Sequence, residues 1–379
     1  MIGVNEKDKV VSLIQCKDYG RECVYDAVKR SLTLLGGLER FTAPGRKVFL
    51  KFNLLLGSAP EKCVTTHPDV VYAVARMLKE FGCDVVMGDS PGSGLPYTEE
   101  VLRKSYVASG YDLVAEELDI PLNYDTSYVR VSAPDGKKVK RFSIIKPALE
   151  ADDIIVVSKA KTHALTILSG ATKNMFGVIP GLEKPTFHAN YQTADEFAQV
   201  MLDLNELMKP RLQVMDAIVG MEGDGPHSGT PRKIGAVLAS GDYNAIDVVT
   251  ARLMSFDPME VSTIQAAVER GCLKDDFTDI TILGDPLEKL AVTDFKLPST
   301  HNNDKVLSVI RMIVPRILID RCIGCMRCLR SCPVKAITPV EKKPSINYEM
   351  CIRCYCCHEM CDEHAIALER ISNQRRQLH

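Results

Sequence analysis

Cysteine is the residue type whose spacing in this chain most directly indicates chemistry. Nine of the fourteen cysteines fall in the last sixty residues. There the segments DRCIGCMRCLRSCPVKAI and EMCIRCYCCHEMCDEHAI align without a gap at an offset of 29 residues, so the region is an internal repeat. In a reducing compartment, cysteines at regular spacing are metal ligands more often than disulfide partners. The repeat therefore predicts metal binding by two similar loops.

Each repeat reads C-x2-C-x2-C-x3-C, the spacing found in bacterial ferredoxins. Two-residue spacers let one tight loop turn three thiolates onto three corners of an iron–sulfur cube, while the fourth cysteine points at the other cube. The pattern predicts two [4Fe–4S] clusters. The predicted ligands of the first are Cys322, Cys325, Cys328 and Cys361, and those of the second are Cys351, Cys354, Cys357 and Cys332. Zinc is the alternative, although zinc sites prefer two separated pairs of ligands.

The remaining cysteines lie outside this spacing. Cys356 is the fifth cysteine of the second loop, and we predict a free thiol or a group behind the ligands, without a role that the sequence specifies. Asp362 stands where a second proline would be usual, and a carboxylate there is expected to lower the cluster potential. His358 is expected to be a solvated or hydrogen-bonding group. Five scattered cysteines are predicted to be small buried hydrophobic residues: Cys16, Cys23, Cys63, Cys83 and Cys272.

The first three hundred residues alternate between predicted strands and helices. This alternation predicts an α/β fold with a mainly parallel sheet and helices on both faces, followed by a small ferredoxin-like α+β domain. We place the α/β domain at residues 1–300, a connector at 301–315 and the iron–sulfur domain at 316–379. Ligands of such sheets bind beyond the carboxyl ends of the strands.

Polar residues collect at those predicted strand ends. Singly, each of the lysines could be a solvated surface charge, but together they would face one crevice. A lysine-rich crevice suits a small anionic ligand. The residues predicted to bind a ligand or cofactor there are Lys51, Asn53, Thr65, Thr66, His67, Lys161, Asn174 and Asp224, and those predicted to act catalytically are Asp89, His163, Lys173 and His188.

Several of these stretches resemble the domain of unknown function 362 family of iron–sulfur proteins. The resemblance runs from about Lys9 to Asp285 and rests on an ordered series of motifs. The motifs are KFNLL, TTHP, GDSPGSG, SKAKTH, SGATKNMFGVIPG, GMEGDGPHSGTPRKIG and LASGDYNAIDVV. The resemblance implies an iron–sulfur protein whose reaction is not settled.

A weaker resemblance links His163, Lys173 and His188 to the nickel-pincer lactate racemase family. It implies that Lys173 tethers an organic nickel cofactor, that His188 ligates nickel and that His163 is a general base. TTHP would then grip the cofactor phosphate. This chain departs from that family because GDSPGSG offers only Asp89 where a second base histidine is expected, so two-base racemisation does not follow. In the alternative interpretation, His163 and His188 simply line an anion pocket.

Composition excludes other classes of protein. The net charge is -2, and Lys and Arg are spread along the chain, which disfavours a nucleic-acid surface. No segment has the roughly 18 uninterrupted apolar residues of a membrane span, and MIGVNEKDKV lacks the apolar run of a signal peptide. We therefore expect a cytoplasmic protein.

The functional hypothesis is an iron–sulfur redox protein. Electrons would pass through the two clusters to or from a small anionic substrate or cofactor bound in the α/β domain, with a partner protein as donor or acceptor. An iron–sulfur oxidoreductase would use His163, His188 or Asp89 for acid–base work, and Lys173 would neutralise developing negative charge. The alternative is a non-catalytic electron carrier or adaptor whose α/β domain docks a partner protein.

Overall fold

The structure, a computed structural model, describes residues 9–301 and 312–371. None of the helices in these two segments combines the length and the apolar character needed to cross a bilayer. The strands are β1 (Lys9–Gln15), β2 (Lys47–Lys51), β3 (Asp84–Gly88), β4 (Tyr128–Ser132), β5 (Arg141–Ile145), β6 (Asp153–His163), β7 (Ile167–Leu168), β8 (Leu212–Glu222), β9 (Thr230–Ser240), β10 (Ile280–Gly284), β11 (Met312–Ile317), β12 (Ile337–Val340), β13 (Lys343–Ile346) and β14 (Ile366–Ile371).

The helices follow the predicted alternation with the strands. The α-helices are α1 (Arg21–Leu34), α2 (Pro68–Phe81), α3 (Glu99–Ser109), α4 (Tyr111–Leu118), α5 (Lys146–Glu150), α6 (Ala171–Asn174), α7 (Lys184–Asn190), α8 (Ala194–Met208), α9 (Tyr243–Leu253), α10 (Ser262–Glu269), α11 (Leu287–Leu290), α12 (Arg327–Ser331) and α13 (Cys356–Glu359). Short 3-10 helices lie at Leu38–Arg40, Pro60–Lys62, Met175–Val178 and Pro258–Glu260.

One large sheet organises the first three hundred residues. Its strand order is β10-β1-β9-β8-β6-β2-β3, and β7 pairs with the end of β6. Along this order, neighbouring strands are parallel except at β9, which is antiparallel to both β1 and β8, and the added β7 is antiparallel to β6. The predicted α/β class with a mainly parallel sheet is confirmed. Because β9 runs in the opposite direction, the loop from β8 to β9 lies at the same edge as the carboxyl ends of the parallel strands.

Both faces of this sheet are covered, because successive side chains of each strand point to opposite faces. On β8, Val214 and Ile218 pack with α1 and α2, whereas Met215 and Ala217 pack with α9 and α10. A third apolar cluster joins β6, α8 and the antiparallel hairpin of β4 and β5. Helices on both faces leave the strand ends as the open edge for a ligand.

The cysteine-rich end forms a small α+β unit. In it β11 pairs with β14 and β12 with β13, both antiparallel, and α12 and α13 pack against each other. Strand β11 starts at Met312, inside the segment predicted as a connector, while residues 302–311 of that segment lie outside the described residues. The boundaries of the two predicted domains therefore remain a prediction.

Candidate functional site

Two cavities in the C-terminal unit are each lined by four cysteines. The first, of about 360 Å³, and the second, of about 320 Å³, have otherwise mainly apolar walls. The first is lined by Cys322, Cys325, Cys328 and Cys361, and the second by Cys332, Cys351, Cys354 and Cys357. Each cavity thus takes three sulfurs from one loop and one from the other, and soft thiolates in an apolar wall fit an iron–sulfur cube.

The two loops repeat each other in backbone geometry as well as in sequence. Left-handed backbone conformations recur at the offset of 29 residues, at Gly324 and Arg353, Met326 and Tyr355, and Lys335 and His364. A backbone N–H of Ala336 donates to Cys332 Sγ at 3.2 Å, and the equivalent N–H of Ala365 donates to Cys361 Sγ at 3.2 Å. Hydrogen bonds to ligand sulfurs orient the thiolates and tune a cluster.

No group of three or more His, Cys, Asp or Glu side chains within residues 9–301 and 312–371 is close enough to hold one metal ion. A cube spreads its four thiolates over four corners, so ligands of a cube need not meet the distances of a single-ion site. Asp362, expected to lower the cluster potential, is paired with Arg327, which offsets its charge. His358 is buried, with both ring nitrogens at carbonyl oxygens of Ile366 and Asp224, so it is hydrogen-bonded rather than solvated.

A separate cavity of about 520 Å³ lies at the carboxyl edge of the large sheet. It is lined by residues that follow β2 and β3 and by residues of β6, α6, α7 and α13, which are far apart in the sequence. Six of the predicted site residues line it: Asn53, Asp89, Lys161, Lys173, Asn174 and His188. The structure thus brings together half of the twelve predicted ligand and catalytic residues in one space.

Helix α6 is held in place from outside the cavity. Asp247, on α9, accepts hydrogen bonds from the backbone N–H groups of Ala171 and Thr172. Gly170 is required for this contact, because a Cβ there would lie 2.1 Å from Asp247 Oδ1. The arrangement fixes the first turn of α6 and so aims Lys173, its third residue, at the cavity.

The Asp89 carboxylate is held in the cavity wall by an ion pair and by backbone hydrogen bonds. Its carboxylate lies 3.1 Å from Lys51 Nζ and accepts the backbone N–H groups of Leu54 and Ser90. A Cβ at Gly177 would stand 1.9 Å from Asp89 Oδ1, so only glycine allows this approach. Lys51 Nζ also donates to Asn174 Oδ1 at 2.8 Å. The pair therefore shapes the cavity and positions Asn174.

The walls hold more amines than carboxylates. Lys51, Lys161, Lys173 and Lys184 stand near only two carboxylates, those of Asp89 and Glu359. Burial lowers the pKa of all four amines, that of Lys184 to about 7. Lys173 is enclosed by protein yet keeps part of its surface open to the cavity, and no acceptor within the described residues bonds its Nζ. An anion entering the cavity would relieve this imbalance of charge.

One histidine, His188, lines the cavity, and a second, His163, is fully buried next to the lining residue Glu359. The Nδ1 atom of His163 accepts the backbone N–H of Leu165 at 3.0 Å, which places the ring proton on Nε2. His188 stacks on Phe197 with ring centroids 4.4 Å apart, and its buried Nδ1 has no partner within the described residues. Burial lowers the pKa of each imidazole to about 4, so both rings are neutral near pH 7.

Glu359 brings the iron–sulfur unit into this cavity. It lies on α13 between Cys357 and Cys361, and its Oε1 is 3.0 Å from His163 Nε2. Neither Glu359 Oε1 nor His163 Nε2 has a well-aligned hydrogen bond within the described residues. The contact is therefore an electrostatic one between the Glu359 carboxylate and the polar His163 ring. Burial alone would raise the pKa of Glu359, but His163, Lys173 and His188 bring it below its usual range. We therefore assign an ionised Glu359 that faces a neutral His163.

Loops at the carboxyl edge of the sheet also pack against the C-terminal unit. A Cβ at Gly94 would lie 2.6 Å from Ser331 Cα, and one at Gly92 would lie 3.3 Å from Met360 Sδ. In the β8–β9 loop, the ring of His227 is stacked on that of His364 with centroids 5.2 Å apart. The motifs GDSPGSG and GDGPHSG thus pack on the iron–sulfur unit, a role that the sequence did not indicate.

Five predicted ligand residues lie outside the cavity lining, namely Lys51, Thr65, Thr66, His67 and Asp224. Thr66 donates to Val157 O, and His67 stacks on Tyr19 with centroids 3.6 Å apart. Thr65 Oγ1 is buried without a partner within the described residues. Asp224 also lies outside the lining, with its carboxylate accepting the backbone N–H of Ser299. Their predicted role in gripping a cofactor stays a prediction.

Two charged residues of the lining, Lys184 and Glu359, were not predicted from the sequence. Glu359 sits inside the cysteine motif and looked like a spacer, and only the packing of the two units reveals it. Lys184 Nζ donates to Ser90 Oγ at 2.7 Å and to Ser90 O, which holds the GDSPGSG loop in place. The proline after Lys184 marks the start of α7, and that signal could have placed the lysine at a loop–helix junction near the strand ends.

The chain resembles known proteins along most of its length. Residues 48–252 match the family described as Domain of unknown function (DUF362), and residues 315–362 match the 4Fe-4S dicluster domain. A thylakoid-associated protein of Synechocystis sp. is 34% identical over 312 residues, covering 82% of this chain and 92% of that protein. An uncharacterized polyferredoxin-like protein of Methanocaldococcus jannaschii is 30% identical over 101 residues, covering 23% of this chain and 60% of that protein.

Among solved structures, the lactate racemase apoprotein from Thermoanaerobacterium thermosaccharolyticum is similar to this chain with a TM-score of 0.41 and 14% sequence identity. The match covers 67% of this chain and 60% of that protein. A likeness at this level supports no conclusion about the nickel chemistry that the sequence motifs suggested.

Proposed function

The chain belongs to the family described as Domain of unknown function (DUF362), it carries a 4Fe-4S dicluster domain, and we propose that it moves electrons between two [4Fe–4S] clusters and a small anion bound at the sheet edge. Glu359 is the observation that carries this proposal. It lies two residues from a predicted ligand of each cluster and at the same time lines the cavity. The clusters and the cavity therefore share one wall.

The proposed clusters use the eight cysteines of the two cavities. Three sulfurs of one loop and one of the other would ligate each cube, and the bound cubes would store and pass single electrons. Cys325 is exposed whereas Cys357 is buried. The exposed side of the first cluster is thus the side at which a redox partner protein would exchange electrons, and the buried side of the second leads inward.

The proposed ligand site takes its charge from the amines. Lys173 would bind an anionic group directly, because its Nζ opens to the cavity and lacks a protein acceptor within the described residues. His163 would offer its Nε2 proton, and His188 would offer Nδ1 as an acceptor or, once protonated, as a donor. Lys184 has a pKa of about 7, so it could lose or gain a proton near neutral pH.

The observed contacts favour an anion pocket over a nickel-pincer cofactor. His163, the general base in the nickel interpretation, carries its proton on Nε2, the nitrogen that approaches Glu359. A ring in this state donates a proton and does not accept one. Glu359 and Lys173 line the same cavity, so a tethered cofactor would meet a carboxylate there. We therefore derive no step through nickel.

Metal analysis of anaerobically purified protein tests the cofactor assignment. We expect about eight irons per chain without stoichiometric nickel, because two cubes of four irons fill the two cavities. Cys328→Ala should lose about half of the iron, since Cys328 is a ligand of the first cluster only. Cys356→Ala is the matched control and should keep all of it, because Cys356 lies outside both cavities.

Iron near zero in the wild-type protein, or equal losses in the two variants, would refute the cluster assignment. Nickel in amounts equal to the chain would restore the nickel interpretation. Mass spectrometry of small molecules released from the same preparation separates the remaining alternatives. An anion at about one per chain supports the ligand site, whereas an empty cavity supports the non-catalytic carrier or adaptor.

We also propose that the protein works in a reducing compartment, with the cytoplasm as predicted from sequence. Support comes from the fourteen cysteines, all of which are free thiols in the structure. The name of the Synechocystis relative says that it is thylakoid-associated, so cell fractionation is the direct test of location.

A further inference from the structure

Two thiols outside the iron–sulfur unit lie close together at the start of the chain. Cys16 directly follows β1, and Cys23 lies in the first turn of α1. Their sulfur atoms are 3.7 Å apart, although a loop separates the two residues in the sequence. Cys16 is buried and Cys23 is exposed, which corrects the prediction that both are buried hydrophobic residues.

We propose that Cys16 and Cys23 form a reversible disulfide by exchange with a low-molecular-weight disulfide. The exposed thiolate of Cys23 attacks one sulfur of the small disulfide, forms a mixed disulfide and releases the first small thiol. Cys16 then attacks the Cys23 sulfur and releases the second. Both electrons of the protein dithiol pass to the small disulfide, and the two thiol protons leave with its products.

The geometry makes the second step a short one. Disulfide sulfurs are about 2.05 Å apart, so the two atoms must approach by only about 1.6 Å. Rotation of the exposed Cys23 side chain can supply that movement without shifting β1. Cys16 Sγ is held in place by Asp18 O at 3.4 Å.

The two environments also assign the order of attack. Burial, together with the hydrogen bond and the charge of Cys23, raises the pKa of Cys16 to about 12, so Cys16 is a poor first nucleophile. Once Cys23 is part of a mixed disulfide, its sulfur can no longer carry the negative charge that helps to raise the pKa of Cys16. This change favours deprotonation of Cys16 and therefore the second attack.

The disulfide would close a loop that reaches the interior of the α/β fold. Tyr19, inside this loop, bonds Asp216 Oδ1 at 2.9 Å and Lys159 Nζ at 2.7 Å. It also forms the stack with His67 described above. Lys159 precedes the cavity residue Lys161 by two positions on β6. Oxidation of the thiol pair would therefore restrain Tyr19, which contacts the buried ion pair of Lys159 and Asp216 behind the cavity.

The test uses the anaerobic holoprotein with its iron content checked before and after. Protein is incubated with oxidised glutathione, remaining thiols are blocked with N-ethylmaleimide, and trypsin is added. Cleavage after Lys9, Lys17, Arg21 and Lys29 separates the two cysteines into peptides 10–17 and 22–29. We expect most of the protein to give these peptides joined by a disulfide, and dithiothreitol to release them.

Matched variants make the result specific. Cys16→Ser should stop at a glutathione adduct on Cys23, Cys23→Ser should leave Cys16 unmodified, and Cys83→Ser should behave like the wild type. Wild-type protein that keeps a stable glutathione adduct on Cys23, or that does not react at all, would overturn the proposal. The wild-type measurement decides the question even if a variant fails to fold, and it does not depend on the proposed electron transfer.

Discussion

Replacing Lys173 by methionine is expected to weaken the binding of a small anion about 30- to 150-fold while both clusters remain. Removing a charged hydrogen-bond donor from a buried site costs about 2 to 3 kcal/mol, which corresponds to that range. Methionine keeps the length and volume of the side chain, so the cavity wall stays filled. Binding is measured by isothermal titration of anaerobic protein with inorganic phosphate and with oxalate, and the iron content is measured in the same samples.

Lys104→Met is the control for this experiment. Lys104 lies on α3, is largely exposed and pairs only with Glu100, so its loss should leave anion binding unchanged. Equal anion affinity in wild type and Lys173→Met would show that the amine does not bind the ligand. Turnover that survives Lys173→Met with clusters intact would favour the carrier or adaptor alternative.

The second large effect is expected from the buried pair of Lys159 and Asp216. Nζ and Oδ2 are 2.9 Å apart, and both side chains are fully buried. Lys159→Met leaves the carboxylate without its cation, and breaking a buried pair costs about 3 to 5 kcal/mol of the free energy of unfolding. Tyr19 and the backbone N–H of His67 still donate to Asp216, so we expect the lower part of that range. Urea unfolding of anaerobic protein measures it.

A double variant separates the charge from the packing. Lys159→Met combined with Asp216→Asn leaves no unpaired charge, and the amide oxygen can still accept the His67 N–H. It should therefore recover part of the stability lost by Lys159→Met alone. A cost below about 1 kcal/mol for Lys159→Met, the range of an exposed pair, would contradict the assignment of a strongly coupled buried pair.

The cluster ligands could be predicted because their geometry is local. A two-residue spacer fixes the turn between Cys322 and Cys325, and the repeat at 29 residues supplies the second loop. The sheet edge was also predictable, because apolar strands such as β6 end in polar residues. Lys161 and Lys173 both line the cavity at this edge, and their roles toward a ligand stay predictions.

What the sequence could not supply depends on contacts between distant segments. Glu359 enters the cavity because α13 packs on the sheet edge. The sequence CHEMC contains no pattern that predicts this packing. His67 folds onto Tyr19 instead of toward Lys173, since its backbone N–H is bonded to Asp216. The segment KVFLKFNLL (47–55) predicts one strand, yet β2 ends at Lys51 because the next residues turn to meet the loop after β3. Side-chain partners decide such details.

In the proposed function, anion binding in the cavity is coupled to electron transfer by the clusters. The measurement is the midpoint potential of the clusters, obtained by reductive titration of anaerobic wild-type protein with and without saturating phosphate or oxalate. A negative charge beside Lys173 and Glu359 disfavours adding an electron nearby, so the potential should fall when the anion binds, and Lys173→Met should show a much smaller fall at the anion concentration that just saturates the wild type. An unchanged wild-type potential, with binding demonstrated in the same sample, would contradict the account.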